Sequence, residues 1–77
     1  MNKQRRKELE NINKELSSIK EKLESVMSDE ECALGNMPEN LLDSIRAENS
    51  QDAIDNMNDA IDMFDDIINL LYETICL

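Results

Sequence analysis

Apolar residues recur through the first half of the chain at Leu9, Ile12, Leu16, Ile19, Leu23 and Val26, in steps of 3, 4, 3, 4 and 3. That alternation predicts a helix with a narrow, coiled-coil-like apolar stripe in polar surroundings. With Leu9 at position a of the heptad and Ile12 at d, Ala33 falls at d, and Met37 falls at a beyond a break. Glu and Lys lie between the stripe residues among Asn and Ser, and pairs such as Glu10–Lys14 at i, i+4 each add about 0.2–0.5 kcal/mol. The second half repeats the pattern at Ile54, Met57, Ile61, Phe64, Ile68, Leu71 and Ile75. Here the stripe is wider. Taking Ile54 as a, Ala53, Ala60 and Ile67 occupy g, and Met63, Leu70 and Leu77 occupy c. Such a helix has more apolar surface than one partner helix covers, and the excess grows toward its end.

Between the two patterns lies "ALGNMPENLLDS". Gly35 suits a left-handed residue just past a helix end. Asn36 with Glu39 reads as a capping box, and Pro38 is tolerated where a first helical turn needs no N–H. Asp43, Ser44, Asn49 and Ser50 each offer a cap for the second helix. The expected division is one domain over 1–77: a helix over about 4–34, a turn with a short helix over about 35–46, and a helix over about 47–76. Each long helix spans roughly 45 Å at 1.5 Å per residue. The connection is short enough to make them antiparallel neighbours. The expected fold is therefore all-α, an antiparallel helical hairpin. Dimerisation into a four-helix bundle or docking on a partner would complete it.

Composition narrows this further. In 77 residues there are one Gly, one Pro and two aromatics, unlike a β-rich domain. A chain this short buries a modest core and is marginal alone. The basic start is followed by no apolar stretch, so no targeting signal is read, and no apolar run is long enough to span a membrane. The expected location is the cytoplasm. Cys32 and Cys76 are too few for a disulfide framework and fall near opposite ends of the hairpin, too far apart to bond. The chain has no His, which removes His-dependent catalysis and the common zinc sites. No glycine-rich phosphate loop and no nucleophile–base set occurs either. The expectation is a non-enzyme without cofactor or metal.

Charge is unevenly placed. Residues 1–22 carry seven basic residues against four acids, and residues 23–77 carry Arg46 alone against fourteen acids. An acidic bulk argues against direct nucleic-acid binding, which draws on phosphate contacts, and favours a basic protein surface as partner.

The turn "GNMPENL", Gly35–Leu41, resembles that of a group of small acidic two-helix proteins from bacteriophages, prophages and other mobile elements. These begin with a basic, then Glu/Lys-rich helix, pass through an Asn-Met-Pro-Glu-(Asn/Gly)-Leu turn and end in an acidic amphipathic helix. The general plan covers the whole chain, and the specific match is Asn36–Leu41. The group has an aromatic before the turn and a Ser-Glu-Arg-like segment after it. Here Leu34 and Gly35 precede, and only Ser44 and Arg46 echo the later segment. The resemblance implies a mobile-element origin, hence a host cytoplasm, and no activity. Read from the residues, the turn is either a plain helix–helix connection or a recognition tip with Met37, Pro38 and Leu41 as apolar contacts.

One feature of the second helix points outward. Asp52, Asp55, Asp59, Asp62 and Asp66 step by 3, 4, 3 and 4, in phase with the core but on the opposite side, and Asp65 widens the row. Asp43 and Glu48 extend it backward. One reading is a solvated face. Solvated faces, however, normally mix signs, like charges at i, i+4 destabilise a helix, and Asp is a poorer helix former than Glu. The macrodipole accommodates Asp52 and Asp55 near the helix start, not the later four. A second reading is a row of carboxylates that imitates a phosphate backbone and fits the groove of a basic, nucleic-acid-binding protein, such as a defence nuclease. Mobile elements have use for such inhibitors, including anti-restriction and anti-CRISPR proteins. A third is pairing with Lys3, Arg5, Arg6 and Lys7 of a second subunit. Calcium fits poorly, since no loop has an EF-hand's glycine turn and ligand alternation. Met63, Ile67, Leu70 and Leu77 are the expected apolar contacts to a second copy or partner. Two functional classes follow: an acidic inhibitor of a basic host protein, and a self-associating coiled-coil assembly module.

Overall fold

The computed structural model describes residues 1–41 and 44–77. Two long helices, α1 (Lys3–Gly35) and α2 (Ile45–Ile75), pack against each other as an antiparallel hairpin 60 × 15 × 12 Å in extent. A short 3-10 turn, Glu39–Leu41, lies between them. Among the described residues no helix is long and apolar enough to cross a membrane.

Local chemistry sets the helix ends. Asn2 caps α1, its side chain accepting the Arg5 N–H at 2.8 Å. That adds one residue to the expected start. At the far end Gly35 remains helical, with no positive φ, so the expected left-handed glycine is not used. Asn36 ends the helix instead, its N–H bonding the Cys32 carbonyl, while the Met37 N–H bonds that of Leu34. These bonds tighten the last turn and satisfy carbonyls that would otherwise be left over. Pro38 stands just before the 3-10 turn and contributes its carbonyl to the Leu41 N–H. Of the four candidate caps, Ser44 starts α2: its hydroxyl accepts the Ala47 N–H and donates to the Leu41 carbonyl. Asp43, the first candidate, lies outside the described residues. The helix begins at Ile45, two residues before the expected position, because Ser44 meets both neighbours at once.

The contact between the helices is rotated from the expected one. In α2 the seam is as read, with Ala47, Ile54 and Ile61 at a buried and Ser50 at d buried with them. In α1 the a residues Leu9, Leu16 and Leu23 are half-buried, but their companions are the e residues Asn13, Lys20, Met27 and Leu34. The d residues Ile12, Ile19 and Val26 stand out of the seam at 44%, 48% and 56% exposure. Position e lies about 40° from a on one side, so an a-to-e stripe is centred about 20° from a, whereas d lies about 60° the other way at 100° per residue. The physical reason is visible in the polar cross-links. The Asn13 side chain donates to the Ile68 carbonyl at 3.2 Å, and the Lys20 ammonium reaches Asp65 at 2.5 Å. Near the turn Ser50 donates to Glu30 at 2.7 Å. Met27 and Leu34 then place apolar bulk at e on the same line. No residue of α1 is buried, whereas α2 buries four against it.

Candidate functional site

The hairpin has two contrasting sides. On α2, heptad positions run around the wheel in the order a, e, b, f, c, g, d. The e sides of the two helices adjoin, as Lys20–Asp65 shows and as Met27, Leu34, Gln51 and Asn58 show in lining one groove. Ala33 at d of α1 adjoins Arg46 and Ser50 at g and d of α2 on the other side.

The e side leads to the acidic row. Asp52, Asp55, Asp59, Asp62 and Asp66 are all exposed. Over the 14 residues from Asp52 to Asp66 the row runs about 21 Å at 1.5 Å per residue. Asp55 receives a hydrogen bond from Gln51 at 2.9 Å, within its own helix. Glu31 of α1 faces Asp55 across the groove and widens the negative surface. Among the described residues no basic side chain pairs with Asp52, Asp55, Asp59, Asp62 or Asp66. Lys3, Arg5, Arg6 and Lys7 stand at the opposite end from Asp52, beside the last turns of α2. Asp65 behaves differently. It is half-buried and held by Lys20, whose ammonium also lies 3.8 Å from Glu24. The hydrogen bond that the Lys20 ammonium donates to Asp65 raises the pKa of Lys20 above its ordinary value, against desolvation and with help from the charges of Asp65, Glu24 and Asp62. Asp65 thus locks the seam, while the five others face solvent.

The d side is apolar. By the heptad register, Ile12, Ile19 and Val26 of α1 fall on the same side of the hairpin as Met57, Phe64, Leu71 and the g residues Ala53, Ala60 and Ile67 of α2. Ile67 is 45% exposed, and further round the helix Met63, Leu70 and Leu77 reach 64%, 62% and 89%. The sequence reading named Met63, Ile67, Leu70 and Leu77 of α2 as apolar contacts, and all four are exposed, whereas it assigned Ile12, Ile19 and Val26 to the seam. The signal that identifies them is the run Met27–Leu34 at e, since apolar e residues call for a seam on that flank.

The turn residues split. Met37 is half-buried and lines a groove with Ala33, Leu34 and Ser50, while Pro38 and Leu41 are exposed. Cys32 and Cys76 are free and exposed. Among the described residues no three carboxylates and thiols stand together so as to hold a metal ion. Comparison of the chain with known protein families, curated proteins and solved structures finds no match.

Proposed function

We propose that the chain is a small acidic protein-binding module of mobile-element origin, acting in a host cytoplasm as an inhibitor and not as an enzyme. Its partner is a basic, nucleic-acid-binding protein such as a defence nuclease, whose groove the Asp row occupies in place of a phosphate backbone. One observation carries the reading: five carboxylates lie exposed along one side of a rigid helix, while the sixth, Asp65, is neutralised by Lys20. Unpaired like charges in a row cost helix stability, so a role in steering and binding accounts for their retention. The turn residues Pro38 and Leu41 supply apolar contacts at the tip.

The test is affinity purification from the native host, comparing the wild type with the triple variant Asp59→Asn, Asp62→Asn, Asp66→Asn. The wild type should retain a basic protein, with binding that weakens steeply as salt rises, and the variant should lose it while staying helical. Recovery of the same partner at the same salt by the variant would sink the reading. A second reading, a self-associating assembly module, is favoured by the open apolar d side.

A further inference from the structure

We infer that the d side is covered by a second copy of this chain, laid antiparallel so that the two turns point to opposite ends of a four-helix bundle. The inference rests on the self-association reading and does not require the Asp row to have a partner.

Three observations commit the face to this occupant. The first is extent. A hairpin face 60 × 15 Å outlines roughly 900 Å², comparable with the ~800 Å² each partner contributes to a standard stable interface. Its centre is apolar, as interface cores are.

The second is self-complementarity. The cross-links Asn13–Ile68, Lys20–Asp65 and Glu30–Ser50 place Ile19 level with the stretch 61–66, about Met63, at mid-hairpin. A twofold axis there, perpendicular to the helices, superposes Ile19 on the partner's Ile19, and Ile12 on the partner's Val26. The same axis lays Phe64 near the partner's Phe64, Met57 near the partner's Leu71, and Ala60 near the partner's Ile67. Ala60 against Ile67 sets a small residue opposite a large one, as in interdigitating layers, while the d residues meet as a continuous apolar row. Arg5, also at d, comes level with the partner's Ala33, beside Glu30.

The third is charge. Divide the hairpin at that level. The open half, residues 1–19 and 62–77, holds five basic residues and seven acids, a net of −2. The turn half, residues 20–61, holds three against eleven, a net of −8. A parallel dimer opposes −8 to −8. The antiparallel one opposes −8 to −2 at each end and roughly halves the repulsion, which scales with the product of charges. It also brings Lys3, Arg5, Arg6 and Lys7 toward the partner's Asp29, Glu30 and Glu31. On α2 the Asp row lies about 130° around from the apolar face, so both rows stay on the outside of the bundle.

Sedimentation or light scattering on the whole chain at micromolar concentration should give twice the 8.9 kDa of one copy. A cooperatively melting monomer at about a hundredfold higher concentration overturns the inference. Ile19→Lys places two ammonium groups at the twofold and should weaken the dimer at least about 100-fold. An Ile19→Lys protein that remains a dimer excludes this face. Orientation is read independently of that variant's folding. In Cys76→Ser the exposed Cys32 is the one site for a spin label. It lies thirteen residues from Ile19, so the label pair should be separated by about 40 Å along the bundle. A separation near 20 Å, the width of two helices, means parallel copies and overturns the arrangement. The triple Asp→Asn variant should keep the dimer. Its loss there places the contact on the acidic side and also overturns the inference.

Discussion

Lys20 is the residue on which the hairpin's rotation turns. Its ammonium bridges to Asp65 across the seam and draws α1 round so that e, not d, faces α2. The signs for pH follow from the raised pKa. A group that holds its proton more tightly when folded stabilises the fold fully below its unfolded value, here 10.5, and the contribution is lost as pH rises through the folded value. Thermal melts of the wild type should therefore fall above about pH 10.5, and Lys20→Met should flatten that fall relative to wild type. An unchanged alkaline slope in the variant removes Lys20 from this role. Since both partners are partly exposed, the pair acts more on register than on total stability. Neither Lys20–Asp65 nor Asn13–Ile68 was legible in the chain. Each joins residues more than forty positions apart, at wheel positions that meet only after the seam has turned toward e.

At the scale of the element, α2 carries two faces of opposite character at one period. Its apolar face was legible throughout, because burial follows the 3.6-residue repeat. Its acidic face was legible as a row, but the separate behaviour of Asp65 was not. The row also has a measurable cost to the helix. In Asp59→Asn, Asp62→Asn, Asp66→Asn the i, i+3 and i, i+4 repulsions along most of the row vanish, about 1 kcal/mol in all. Tm should rise by roughly 4–8 °C in a chain of this size. Adding salt to the wild type should move Tm the same way, through screening, and should do little to the variant. A triple variant that melts lower than the wild type would show that the row is supported by contacts within the protein.

For the whole molecule, one layer of two helices leaves half of each apolar stripe open. Ile54 is 9% exposed in the seam, whereas Ile19 is 48% exposed on the d side. In a lone hairpin, Ile54→Ala should cost about 2–4 kcal/mol and Ile19→Ala about 1 kcal/mol. In the antiparallel bundle Ile19 becomes a core residue at the twofold, and the two costs converge. Denaturant melts at two protein concentrations separate the cases, because only a dimer's midpoint moves with concentration.

From the chain alone came two heptad helices, their approximate ends, the turn at Asn36–Leu41 and an acidic row facing away from the core. All of these are local: each depends on spacing or caps within a few residues, and a helix displays them whatever it packs against. Tertiary packing decided which flank of α1 met α2. A wheel shows that Leu9, Leu16 and Leu23 lie at the centre of a stripe but not which way the contact leans. Both flanks offered side chains, Ile12, Ile19 and Val26 at d against Asn13, Lys20, Met27 and Leu34 at e. The choice fell to α2, whose Ile68 carbonyl and Asp65 carboxylate give the polar e residues hydrogen bonds they would lack at the d side. Isoleucine and valine at d were thereby left for an apolar surface that the hairpin itself does not contain.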